Sequence, residues 1–285
     1  MLSKIYKIRA LTNMHVGTGD TGYGLVDNTV QRDVVTNYPA IYSSSLKGAL
    51  RQFARYEKFD EIKEIFGSEN TSNESMESGL AKFFQANLLS IPVRGQKKPF
   101  YRATCYKIIN ELIENLEIHK IEDTDGIMRI LNTLKDEKES FLLVTEEIEK
   151  KEKGSKEIIE GYEVKTKKED KLTHLENIFG KDIVVFDNET FGHIIEELPV
   201  IARNCLDNGE SKNLWYEEIV PRETRFYFPV ILDEKKDNNG TEEEDSRLSK
   251  KLNDLLENKM IQIGANASIG YGYTEISKLG ESKYE

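Results

Sequence analysis

Three features of the sequence predict an α+β fold. The opening segment alternates apolar and polar residues with the period of two that a strand has. A stripe of apolar residues at helical spacing follows a short glycine-rich stretch. Near its end the chain reads as a helix, a strand, a glycine loop and a last strand. The whole order is strand, loop, helix, strand, long insertions, helix, strand, glycine loop, strand. That order suits an antiparallel sheet with helices on one face, of the ferredoxin-like or RRM-like kind.

In the first strand Leu2, Tyr6, Ile8, Ala10, Met14 and Val16 share the even face, while Ser3, Lys7, Arg9, Asn13 and His15 share the odd one. This predicts a half-buried strand over 2–16, with His15 on the polar side and partly exposed. Gly17-Thr18-Gly19-Asp20-Thr21-Gly22 matches G-x-G-x-x-G, but Tyr23-Gly24-Leu25-Val26-Asp27 makes a poor helix start. A dinucleotide site is therefore not supported. A second extended segment runs toward Gln31. Ser43-Ser44-Ser45 then opens a helix whose buried stripe is Leu46, Ala49, Leu50, Phe53 and Ala54. Lys47, Arg51 and Arg55, at i, i+4 and i+8, form a basic row beside that stripe.

The segment 82–93 reads as a strand closed by Pro92 and the turn-like Arg94-Gly95-Gln96. Helices are predicted over 104–118 and 124–135. Two charged stretches, near 146–171 and 233–245, read as peripheral insertions within a single domain spanning 1–285. Leu248, Leu252, Leu255 and Leu256 mark a further helix. A strand from Met260, a loop over 264–273 and a final strand complete the chain.

The 285 residues carry 40 Lys+Arg against 51 Asp+Glu, a formal net charge of −11. Such acidity argues against a protein that coats nucleic acid by charge alone, and shifts attention to local basic stripes. Apolar runs are far shorter than the roughly 20 residues that span a bilayer, and no signal-peptide pattern opens the sequence. Cys105 and Cys205 stand apart, without CxxC spacing, so neither a disulfide framework nor a structural zinc is expected. The expected location is cytoplasmic.

Several residues admit two readings. Serines at a helix start with a basic row behind them form an anion site, or an ordinary cap with a solvated face. Asp27, after a glycine loop, can hold a hard cation or simply close a turn. Trp215-Tyr216 beside Glu217-Glu218 can stack a base or be buried.

Taken together, the pieces resemble a family. His15-Val16-Gly17-Thr18-Gly19, then Val26-Asp27-Asn28-Thr29-Val30-Gln31-Arg32-Asp33, then the segment from Tyr38-Pro39-Ala40 through Ser43-Ser44-Ser45-Leu46-Lys47-Gly48-Ala49-Leu50-Arg51 resemble the N-terminal signature of the RAMP superfamily, the repeat-associated proteins of CRISPR effector complexes. Leu198-Pro199-Val200-Ile201-Ala202-Arg203-Asn204, Asn213-Leu214-Trp215-Tyr216-Glu217-Glu218 and Ile261-Gln262-Ile263-Gly264-Ala265-Asn266 narrow the resemblance. They are similar to the backbone subunit of the Cmr complex, the type III-B CRISPR effector. Ala265 departs from the pattern, since a second glycine is usual there, and that puts the loop's close approach to RNA in question.

The resemblance implies an RRM-like palm with an inserted helical region and a thumb hairpin. It implies a filament of copies along guide CRISPR RNA, with other Cmr subunits, and cleavage of single-stranded target RNA at regular intervals. Asp27 takes the catalytic position and holds a divalent metal, Mg²⁺, together with substrate phosphate. His15 and Glu218 are at most supporting. Ser44, Ser45, Lys47, Arg51 and Arg55 become the guide-binding candidates. A non-catalytic, structural guide-binding subunit is the alternative, and a nuclease that trims guide precursors is disfavoured by the Asn213-to-Glu218 block.

Overall fold

A computed structural model describes residues 2–21, 25–68, 77–121, 128, 131–132, 134, 142–145, 157–168, 172–233 and 242–283. The first part of the chain forms β1 (Leu2–Ala10), β2 (Gly17–Thr21), β3 (Asn28–Val30), β4 (Ala40–Ile41), α1 (Ser43–Tyr56) and α2 (Ile62–Phe66). Next come β5 (Ala81–Phe83), β6 (Ala86–Val93), β7 (Tyr101–Cys105), α3 (Tyr106–Ile118), β8 (Leu142–Thr145), β9 (Glu157–Ile159) and β10 (Tyr162–Lys168). Then follow α4 (Leu172–Phe179), β11 (Ile183–Phe186), α5 (Asn188–Glu196), β12 (Val200–Asp207), β13 (Glu210–Glu218) and β14 (Arg225–Leu232). The last elements are α6 (Glu242–Leu256), β15 (Lys259–Gln262) and β16 (Tyr273–Lys283).

The large sheet runs β15-β16-β1-β14-β6-β7-β11-β8-β10-β9. Its centre, β16-β1-β14-β6, is antiparallel throughout. In chain order α1 lies between β1 and β6, and α6 between β14 and β16. The first strand stops at Ala10, and its first half is covered on both faces. Ser3 and Ile5 are as fully buried as Tyr6, Ile8 and Ala10, whereas Lys7 and Arg9 are part-exposed, so the expected half-buried strand over 2–16 holds only over 6–10 and is corrected elsewhere. Its position between β14 and β16 explains the difference, because helices and loops close over a central strand on either side.

The expected strand over 82–93 divides at Phe84-Gln85 into β5 and β6, both pairing with β14. The charged stretch near 146–171 is not wholly peripheral. Residues 157–168 form a hairpin in which Glu160 (φ 49°) and Gly161 (φ 82°) make the left-handed turn, and Ile159 and Val164 are buried. One buried apolar residue on each strand sufficed. The rest of that stretch, most of the 233–245 segment and most of the predicted helix over 124–135 lie outside the described residues, although 128, 131–132 and 134 are helical.

A second sheet, β12-β13-β3-β2, stands beside the first. Its β12–β13 hairpin turns at Asn208 (φ 51°) and Gly209 (φ 88°), the pair of positive φ angles a two-residue turn demands. Most of the hairpin faces solvent, including Leu206 and Leu214. Only its base, at Glu217 and Glu218, is buried.

Candidate functional site

The site forms where the base of the hairpin meets β3. Glu217 pairs with Asn28 in parallel register, so the residue before β3 lies against Tyr216. Asp27 clasps that residue twice. Its N–H donates to Tyr216 O at 3.0 Å, and its Oδ2 accepts from Tyr216 N–H at 2.8 Å. The side chain is otherwise exposed, and no bond to Oδ1 is found among the described residues. The carboxylate is thus aimed by one oxygen and presented by the other. Trp215 is half-buried and Tyr216 is 44% exposed, so neither aromatic belongs to the core.

Glu218 is a different kind of acid. Its Oε1 accepts from Arg32 Nη2 at 2.6 Å and its Oε2 from Val30 N–H at 2.9 Å. Arg32 in turn donates to the carbonyls of Ile195 and Asn37, each at 3.0 Å. This buried ion pair ties the hairpin base to β3 and the end of α5. Glu217 ties the same base to the C-terminal loop. Arg203 Nε reaches its Oε2 at 2.9 Å and Asn266 Nδ2 its Oε1 at 2.6 Å. The Arg203 guanidinium also lies 4.5 Å above the Tyr271 ring, a geometry in which the ring's negative face attracts the cation.

His15 is buried, with 6% exposure, rather than partly exposed as the alternation suggests. The strand has ended by then, so the period of two no longer sets the side chain's direction. His15 Nδ1 lies 2.7 Å from Glu218 O. A carbonyl only accepts, so Nδ1 carries a proton. Nε2 points at Gly17, where a Cβ would come within 2.9 Å of it. The C-terminal loop closes over the histidine's backbone: Ala265 N–H donates to His15 O at 2.8 Å. Gly264, at φ +91°, lies so close that a Cβ would sit 2.4 Å from that oxygen. Ala265 itself is not at positive φ, so its departure from glycine brings no backbone strain.

Gln31 joins this cluster to α1. Its Nε2 donates to Gly17 O at 3.0 Å and to Ser45 Oγ at 2.9 Å, while its Oε1 accepts from Tyr42 N–H at 2.7 Å. Tyr42 is the N-cap and no side chain caps the helix, so the ordinary serine-cap reading is corrected. Ser43 to Ser45 occupy the first turn, ahead of the first helical bond from Leu46 N–H to Tyr42 O. The basic row divides. Lys47 has no partner among the described residues, and burial, then the charge of Arg51, hold its pKa below the usual lysine range. Arg51 is already employed, with Nη2 donating to Gly67 O at 2.8 Å at the end of α2. Arg55 is exposed beside Gln52.

Among the described residues no group of three His, Cys, Asp or Glu is placed to hold a metal ion. Asp27 offers one carboxylate with one oxygen already engaged, so the donor set does not build a resident metal site. Cys105 and Cys205 are both free thiols. Of the sequence candidates, the structure links His15 with Glu218, and Gly17 with Ser45 through Gln31. Arg32, Arg203, Gln31 and Asn266 are the residues that sequence reasoning passed over. Gln31 and Arg32 directly follow the short strand β3, but nothing local marks Arg32's partners, Ile195 and Glu218, more than 160 residues away.

The fold is thus a mixed α/β one, carrying a solvent-facing loop carboxylate beside an exposed hairpin. The RAMP superfamily model matches residues 7–275, and the chain belongs to that superfamily. It is 28% identical over 299 aligned residues to the CRISPR system Cmr endoribonuclease Cmr4 of Pyrococcus furiosus, covering 97% of this chain and 96% of that one. It is 29% identical over 149 residues to the CRISPR system CMR subunit Cmr4 of Saccharolobus solfataricus, covering 49% and 48%. Among solved structures, type III-B Cmr-beta bound to cognate target RNA aligns with TM-score 0.77 at 23% identity, covering 97% and 96%. Oligomeric Cmr4 from Pyrococcus furiosus aligns with TM-score 0.69 at 22% identity over the full length of both chains.

Proposed function

We propose that the chain is a backbone subunit of a type III-B CRISPR effector complex. In this reading copies of it assemble along guide CRISPR RNA, with other Cmr subunits, and cut complementary single-stranded target RNA at regular intervals. The near full-length similarity to a Cmr endoribonuclease supports the class of protein. The observation that carries the site is Asp27, a carboxylate fixed by Tyr216 and open to solvent. The central strand order β16-β1-β14-β6, with its two intervening helices, supports an RRM-like palm. The β12–β13 hairpin is then the thumb. A cytoplasmic location follows from the same reading, and no helix among the described residues is long and apolar enough to cross a membrane.

The chemistry needs a 2′-oxygen in line behind the adjacent phosphorus, which A-form geometry resists and a splayed nucleotide permits. Asp27 accepts the 2′-hydroxyl proton as the oxygen attacks. The 5′-oxygen leaves and takes a proton from water, so the products are a cyclic phosphate and a 5′-hydroxyl. His15 and Glu218 act by position: the first holds the Gly17 loop and the second locks β3 to the hairpin. Mg²⁺, brought by the target phosphate rather than held by the chain, would supply charge neutralisation at phosphorus. Ser44, Ser45 and Lys47 present N–H groups, hydroxyls and a cation to guide phosphate, with Arg55 further along the helix. Arg51 contributes charge while anchored to Gly67.

The test assembles the chain with guide RNA and its partner subunits, then adds labelled complementary RNA with and without Mg²⁺. Evenly spaced products that require Mg²⁺ are expected. Target capture with no cleavage under either condition would favour the purely structural subunit instead.

A further inference from the structure

A cleft of about 240 Å³ opens on the large sheet, away from α1. Lys7 and Arg9 of β1, Arg225 of β14, Glu275 of β16, Glu176 of α4 and Lys181 line it. Arg102 of β7 adds a further guanidinium, bonded to Glu223 Oε2 at 2.6 Å while Arg9 takes Oε1 of the same carboxylate at 2.7 Å. Glu223 therefore serves two arginines and leaves Arg225 without a carboxylate partner among the described residues. Arg225 and Lys7 both turn instead to one neutral oxygen, Asn177 O, at 3.4 and 2.5 Å. The buried Nε–H groups of Arg9, Arg102 and Arg225 have no acceptor among the described residues. Glycine at 180 makes the arginine cluster possible, since a Cβ there would come within 2.1 Å of Arg102 Cδ and 3.0 Å of Arg225 Nε. Five cations thus face three carboxylates in a partly dry cleft. An anion is the missing member.

We propose that this cleft is a second phosphate-binding site, occupied by a phosphodiester of single-stranded RNA beyond the Asp27 site. Guanidinium groups match phosphate oxygens in pairs, and unsatisfied N–H donors gain most when an oxyanion arrives. Burial, then the charges of Arg102 and Arg9, push the Arg225 pKa down to about 10, and burial, then Arg225, lower that of Lys7. Glu275 opposes both shifts, and Glu223 that of Arg225, without cancelling either. Placement favours RNA over a protein carboxylate. Arg9 pairs with Arg225 in register at the end of β1, and Met14 then pairs with Val220 on the way to His15 and Glu218. The five steps from Arg9 to Met14 span at most roughly 17 Å of extended chain, so the cleft lies close to the candidate site. The identity of the ligand rests on the RNA-binding reading, whereas anion binding itself does not.

Two measurements separate these parts. Inorganic phosphate should raise the melting temperature of the wild-type chain, and Arg225→Gln should lose that rise. In guide- and target-bound complexes, Arg225→Gln and the rim variant Lys181→Gln should each lower the salt slope of RNA affinity, by about 0.7 for a full single-strand phosphate contact. An unchanged slope in both variants overturns the RNA assignment, even if Asp27 variants still abolish cutting. An unchanged slope with weakened subunit assembly would make the occupant a neighbouring subunit's carboxylate. No phosphate response in either the wild type or the folded Lys181→Gln chain would remove the anion site altogether.

Discussion

Asp27 and Glu218 flank the same contact between β3 and the hairpin base, yet they are built for opposite purposes. Asp27 spends one oxygen on Tyr216 N–H and shows the other to solvent. Glu218 spends both, on Arg32 and Val30 N–H, and is buried. The difference teaches that acidity near a candidate cleavage site does not identify the reacting group. A carboxylate saturated by a guanidinium and an amide holds chain segments together, while one left half-bonded and wet remains available for chemistry.

The largest expected effect comes from breaking the holding member. Glu218→Ala should cost about 3 kcal/mol in urea unfolding, because it removes the only carboxylate on Arg32 among the described residues and leaves its charge to backbone carbonyls alone. Arg32→Ala should cost a similar amount, and the double variant much less than the sum. Normal stability in Glu218→Ala, with cleavage lost, would erase the contrast and move Glu218 into the chemistry.

A smaller effect is expected where the C-terminal loop leans on His15. Gly264→Ala should destabilise by about 1–3 kcal/mol, since its φ is positive and its Cβ meets His15 O. Ala265→Gly at the next position should change stability little, which calorimetry can compare directly. The same contrast appears among histidines. His119 is buried, lies 2.7 Å from Ser3 Oγ and has its pKa lowered by burial. The unfolded chain therefore binds that proton more readily, and His119 favours folding fully only above its unfolded value of about 6.5. Stability should fall as pH drops through about 6.5 toward the folded value, and His119→Gln should flatten that part of the profile. The smallest stability effect belongs to Lys47→Ala. It should leave unfolding within about 0.5 kcal/mol of wild type while lowering the salt slope of guide binding by about 0.7.

How much was legible in the sequence divides along the same line. The β1 alternation, the 43–56 helix and the final strand–loop–strand follow local periodicity, and Asp27, the Ser43-to-Arg51 block and the hairpin base carry the family's marks. What local pattern does not encode is who meets whom. The burial of His15 depends on Glu218, 203 residues away, and the anchoring of Arg51 on the end of a second short helix. The hairpin over 157–168 was hidden for a related reason: two buried apolar residues in a field of Lys and Glu barely disturb the composition. The Arg9–Arg102–Arg225 cleft gathers from three strands distant in the chain, so no window along the sequence contains it.

The account's central claim, that an exposed Asp27 cuts while the buried acids hold, is tested most directly by Asp27→Asn. Asparagine keeps an oxygen for Tyr216 N–H and so preserves the clasp, while removing the charge that takes up a proton or draws a cation. In one assembled complex, target capture and target cleavage are measured on the same labelled RNA. Wild-type capture with cleavage reduced at least about a hundredfold is the predicted result. Cleavage at the wild-type rate would contradict the claim.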